Sequence, residues 1–185
     1  GADRDGRIWI CTMHGMATFA WPAAFTLFDT RLGIDPSALR SMRRAEDKVL
    51  LGGTGGVMSV QAADPATPQF ARITRVSAAA DFHGDPVFHS SGRIYPSTGG
   101  FKTVRDGRAV QVLQTDDMFF SLRPDAQNPD RIYFGAQRGA GSALYRDGAW
   151  RLEGYAAGFT QPVAALEVSP DGTLWARNTS GLGWR

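Results

Sequence analysis

A period of about forty residues, Asp-Gly doublets between alternating strands, and faint helical periodicity together predict an all-β chain, a β-propeller of four-stranded antiparallel blades. The 22 glycines and 10 prolines are spread along all 185 residues, which suits many short turns and few long helices. One stretch, 37–46, also fits a helix; the repeat assigns it to a strand.

The period is anchored on an apolar–aromatic pair, Ile8-Trp9, preceded by a turn-forming doublet. Comparable pairs are Val49-Leu50, Ile94-Tyr95, Ile132-Tyr133 and Leu174-Trp175, at separations of 41, 45, 38 and 42 residues. A second feature recurs with the first. Gly15, Gly56, Gly139 and Gly181 each stand seven residues beyond their anchor, and Gly100 comes one place early after Ile94.

Each repeat then resolves into four strands. An apolar segment opens the unit: SALRSM at 37–42, PVFHS at 86–90, MFFSL at 118–122 and VAALEV at 163–168. The anchor is the second strand, and its aromatic residue is expected in the core between blades, because alternation aims it at the neighbouring sheet. The repeat glycine turns the chain into a third strand, VMSVQ at 57–61, FKTV at 101–104 or SALYR at 142–146. A fourth closes the unit: QFARITR at 69–75, AVQVLQ at 109–114 and AWRLEG at 149–154. Two of these hairpins turn on Asp106-Gly107 and Asp147-Gly148, residues suited to the positive φ of a two-residue hairpin.

Blade signatures near 3–31, 37–76, 86–114, 117–156 and 162–185 place residues 1–185 in one partial propeller of about four to five blades. The first signature supplies the second to fourth strands of a blade and the last supplies the first to third. Joined, they would duplicate strands, so the expectation is an arc of a larger ring. The open edges of an arc tend to pair with another chain.

The segments DRDGRIWICTMHGMATF and SPDGTLWARNTSGLGW resemble the two-component-regulator propeller repeat, roughly Asp-x-x-Gly-x-Leu/Ile-Trp-x-x-Thr-x-x-Gly-Leu. The pattern is carried by Asp3, Gly6, Ile8, Trp9, Thr12 and Gly15, and again by Gly172, Leu174, Trp175, Gly181 and Leu182. In the three middle repeats Leu50, Tyr95 and Tyr133 replace the tryptophan. The resemblance implies a periplasmic sensor region of bacterial histidine kinases or diguanylate cyclases. Its implied partners are a further propeller or output domain, or a second copy through self-association. Membrane attachment would come only through segments outside this sequence.

Charge and cysteine content narrow the chemistry. A net charge of +2 and the lack of a basic run interleaved with aromatics argue against a nucleic-acid partner; Arg40, Arg43 and Arg44 read as a solvated strand edge. Cys11 is the single cysteine, which excludes an intramolecular disulfide and a thiolate metal site, and between Ile10 and Thr12 it reads as a small core residue. The apolar run FAWPAAFTLF at 19–28 is too short to span a bilayer. Asp3-Arg4-Asp5-Gly6 opens like a calcium loop, but Arg7 and His14 stand where further oxygen ligands would be needed, so it is expected to be a hairpin turn.

The most chemically loaded segment is DFHGDPVFHS at 81–90. His83 lies in the loop entering an innermost strand and His89 at that strand's end, so both are expected at a channel mouth. Asp116-Asp117 occupy the corresponding entry of the next repeat. Adjacent carboxylates on a strand point to opposite faces and do not form a catalytic dyad. The ligand-binding candidates are Asp81, His83, Asp85, His89, Asp116, Asp117 and Arg123. The three histidines, His14 included, show no metal-ligating spacing, so neither a metal nor another cofactor is expected. GGTGG at 52–56 lacks the Lys-Ser/Thr of a phosphate loop and is assigned to a hairpin. The expected function is non-enzymatic recognition of an unknown small molecule or glycan by a signalling receptor. The alternatives are a propeller lyase or hydrolase with its site at the channel mouth, and a protein-docking scaffold.

Overall fold

The computed structural model describes residues 7–12, 15–20, 25–34, 39–45, 48–53, 56–61, 71–76, 82–169, 171–178 and 183–184. Among these, strands dominate; they form four antiparallel sheets in two compact units, Gly1–Phe82 and His83–Arg185.

In the first unit, β1 (Arg7–Thr12), β2 (Gly15–Ala20) and β3 (Phe25–Phe28) make a three-stranded meander. The second sheet is a four-stranded meander of β4 (Leu39–Ala45), β5 (Lys48–Gly53), β6 (Gly56–Gln61) and β7 (Arg72–Arg75). Within the segment of helical ambiguity, the described residues Leu39–Ala45 are strand, as the repeat requires. Of GGTGG, Gly52 and Gly53 end β5 and Gly56 opens β6, with Gly53 paired to Gly56. Met16, Ile34, Leu51, Met58 and Val60 form the core, and Trp9 and Met42 pack against it. Residues 3–6 of the opening corner lie outside the described residues.

The second unit holds a six-stranded sheet and a three-stranded one. The larger comprises β8 (Val87–His89), β9 (Gly92–Arg105), β10 (Arg108–Pro124), β11 (Arg131–Ala136), β12 (Gly139–Arg146) and β13 (Ala149–Tyr155). The smaller comprises β14 (Val163–Val168), β15 (Leu174–Asn178) and β16 (Gly183–Trp184). Strand β9 is a doubled element. Fourteen extended residues would span roughly 46 Å. Yet a Cβ placed on Gly92 would lie 3.5 Å from the Thr103 hydroxyl oxygen, so the strand folds back on itself. The reversal sits at Gly99 and Gly100 (φ 80° and 116°), where the Ser97 hydroxyl donates to the Gly100 carbonyl at 3.0 Å.

Strand β10 serves two blades in turn. Its first half pairs with β9 as the fourth strand of one repeat, and its second half pairs with β11 as the first strand of the next. A pairing of Thr98 with Met118 joins the two blades into one hydrogen-bonded sheet.

The repeat glycine has a backbone cause. Gly56, Gly100 and Gly139 share φ of 105°, 116° and 134°, a region L side chains rarely enter. A Cβ on Gly100 would also fall 2.2 Å from the Leu113 carbonyl oxygen. At the Asp-Gly hairpins, Asp106 and Asp147 take φ of 50° and 54° and their glycines 72° and 78°. Positive φ at both central residues is the turn whose twist matches the flanking strands.

The anchor pair Ile132-Tyr133 divides between two cores. Ile132 enters a cluster with Phe101, Phe119, Phe134 and Trp150, where Phe119 and Phe134 stack at 4.3 Å. Its neighbour Tyr133 turns the other way, onto Val163, Leu166 and Ala176 of the next sheet. Tyr95 is fully buried. Trp175 departs from the expectation: it is 44% exposed, and its indole N–H donates to the Ser169 hydroxyl at 2.7 Å.

Candidate functional site

In an up-and-down blade, the entry of the first strand, the turn between second and third, and the end of the fourth all come to one edge. On the larger sheet this edge gathers Asp116 and Asp117 at the turn into the second half of β10, Arg138 in the β11–β12 turn, and Tyr155 at the end of β13. The preceding blade contributes Thr98, paired across to Met118, and His83.

The two aspartates do different work. Asp117 is 4% exposed. Its carboxylate accepts the Met118 N–H at 2.8 Å, the Tyr155 hydroxyl at 2.7 Å and the Arg138 N–H at 3.3 Å. Burial, reinforced by the bond to Asp117, pushes the Tyr155 hydroxyl well above its ordinary range, so it remains a donor at neutral pH. Asp116 points outward and pairs with the Arg138 guanidinium, which holds its carboxyl below the usual range. The carboxylates diverge, as alternation requires, and no acid–base dyad forms.

His83 sits beside them. Its N–H donates to the Pro96 carbonyl at 3.0 Å, its Nε2 lies 2.9 Å from the Thr98 hydroxyl, and its ring is edge-on to Phe120 at 6.4 Å. The loop is seated tightly, since a Cβ on Gly84 would strike the Phe120 carbonyl oxygen. Asp85 is half-buried in the same loop. Asp81 and His14 lie outside the described residues.

The other candidates lie elsewhere. His89 is at the far end of β8, beside the turn into β9, with its side chain 2% exposed. Its Nδ1 accepts the Ser91 N–H at 3.0 Å, which leaves Nε2 to donate to Asp130 at 3.1 Å. Tyr145 and Trp150 pack edge-on against the ring, each at 4.8 Å. This histidine is a core residue, and the expectation of a shared mouth with His83 is not met. Arg123 is six residues along β10 from Asp117, about 20 Å away, and pairs with Glu167 at 3.1 Å. Among the described residues no group of three or more His, Cys, Asp or Glu is placed to hold a metal ion.

Sequence reasoning missed Arg138, Tyr155 and Thr98. The repeat carried a usable signal: the residue before the repeat glycine and the end of the fourth strand share an edge with the strand entry.

No protein-family model and no curated protein sequence matches the chain. Solved structures do match. The extracellular domain of a hybrid two-component system of B. thetaiotaomicron superposes with a TM-score of 0.73 at 13% identity, over 98% of this chain and 26% of that one. Virginiamycin B lyase from Staphylococcus aureus gives 0.68 at 10% identity, over 100% of this chain and 67% of that one. The WD40 β-propeller domain of Doa1 gives 0.63 at 13%, over 98% and 58%. The fold is therefore that of a β-propeller, and the chain spans about a quarter of the length of the B. thetaiotaomicron domain.

Proposed function

We propose that this chain is the recognition part of a bacterial signalling receptor on the extracytoplasmic side, a non-enzymatic propeller segment that binds a small polar molecule or glycan at the edge formed by His83, Thr98, Asp116, Asp117, Arg138 and Tyr155. The observation that carries this reading is the split role of the paired aspartates. Asp117 is a buried support that fixes the Arg138 backbone and Tyr155, while Asp116 and the Arg138 guanidinium form an exposed pair above it. An exposed ion pair opens at little cost, and a rigid support beneath keeps its geometry for an incoming ligand. The likeness to an extracellular two-component domain and the resemblance read from the sequence favour the same role. Binding would then shift packing between propeller elements and reach an output domain.

A ligand-library thermal-shift screen tests it. The expected result is a stabilising sugar or small polar compound whose effect disappears in Arg138→Ala and survives in Arg123→Ala. No stabilisation across the library, or stabilisation indifferent to Arg138, would count against the reading. A lyase or hydrolase is the second reading, favoured by the likeness to virginiamycin B lyase. It requires substrate turnover that His83→Ala abolishes while binding persists.

A further inference from the structure

Behind Tyr155 a cleft of about 260 Å³ opens between β11–β13 and β15, lined by Tyr133, Ser142, Glu153, Tyr155 and Leu174 with the Gly141 and Gly154 backbone. Glu153 reaches it through an irregularity in the ladder. Ser142 pairs with Gly154 and Ala143 with Leu152, which leaves Glu153 as the extra residue of a β-bulge. Bulges re-aim a side chain that regular alternation would place elsewhere. The Glu153 carboxylate is then gripped by the fork of Arg131, at 2.8 and 3.0 Å, and accepts the Ser142 hydroxyl at 2.8 Å. Arg131 also meets Asp125 at 3.4 Å, so two carboxylates share one guanidinium and the network keeps a net negative charge. Arg131 holds the Glu153 carboxyl below its ordinary range, and it is ionised at neutral pH.

The hydroxyl donors of the cleft are spent internally. Tyr133 donates to Asp125 at 3.2 Å, Tyr155 to Asp117 at 2.7 Å and Ser142 to Glu153. A carboxylate offers about four acceptor positions, of which Glu153 uses three. What remains is an acceptor on a net anionic network, with the Tyr133 ring and Leu174 as walls. An anion would be repelled, and a ligand that only accepts hydrogen bonds would find no free hydroxyl donor.

We propose that this cleft binds a small organic ammonium ion, its N–H group on Glu153 and its carbon skeleton between Tyr133 and Leu174. The Tyr133 ring reinforces such binding through attraction of the cation to its face. The cleft adjoins the sheet edge at Tyr155 but does not depend on the role assigned there.

Titration calorimetry of the full chain with benzylammonium chloride, and with benzyl alcohol as its neutral counterpart, tests it. Benzylammonium is expected to bind at least about tenfold more tightly than the alcohol. Glu153→Gln should erase that preference. Leu174→Trp fills the cleft from β15, leaves the Arg131–Glu153 pair intact and should abolish binding, with melting curves confirming that both variants are folded. Equal binding of amine and alcohol, undiminished binding by the Leu174 variant, or no binding at millimolar amine would each overturn the proposal.

Discussion

At the scale of single residues, burial decides which of two neighbouring aspartates matters to stability. Asp117 satisfies two backbone donors and the Tyr155 hydroxyl in a nearly closed environment. Replacing it with alanine strands those donors, and a loss of about 3 kcal/mol is expected in urea unfolding. Asp116→Ala, next door on the surface, should leave the unfolding midpoint unchanged, because its partner Arg138 simply returns to water. A comparable loss in both variants would refute the division of labour. Glu153 supplies the pH-dependent counterpart. Arg131 and then Ser142 depress its folded pKa below the unfolded value, against an opposing desolvation. Its stabilisation is therefore complete above the unfolded carboxyl range and fades as pH falls through the folded value. Glu153→Gln should flatten the acid limb of the stability profile while leaving the alkaline limb alone. The acidic doublet was visible in the sequence, but nothing local distinguishes Asp116 from Asp117. The difference arises because the Arg138 backbone and the Tyr155 hydroxyl, 21 and 38 residues further on, bond Asp117, while Asp116 meets the exposed Arg138 guanidinium.

At the scale of elements, the turns separate backbone strain from steric contact. Gly148 has φ of 78° and open space where an added methyl would sit, so Gly148→Ala costs only the left-handed strain, about 1 kcal/mol. Gly100→Ala adds a collision with the Leu113 carbonyl oxygen to an unfavourable φ of 116°, and about 3–5 kcal/mol is expected. Thermal melts of the two variants should fall in that order, and the reverse order would show that the repeat glycine is not a steric necessity. Both devices were readable in advance, because an Asp-Gly doublet and a recurrent glycine are local chemistry. The joining of two blades through Thr98 and Met118 was not, since a pairing across a turn depends on where two hairpins meet in space.

At the scale of the whole chain, the unit His83–Arg185 carries its own core, from Val87 to Trp150, and a second one around Val163 and Leu166. Expressed alone, it should unfold cooperatively with the far-ultraviolet spectrum of a β protein; a non-cooperative transition would show that its cores need the rest of the chain. Within it, Phe134→Ala removes a ring stacked on Phe119 and edged by Phe101 and Tyr155, and about 4 kcal/mol should be lost.

The order of strands and the hairpin turns were determined by the sequence itself, because each rests on alternation or on the φ that a short turn demands. The tertiary structure alone decided which polar residues meet. It parted His83 from His89 along one short strand, buried Asp117 beneath Tyr155, and used a bulge to turn Glu153 into a cleft. Such encounters join residues distant in the chain, and no local pattern of polarity encodes them.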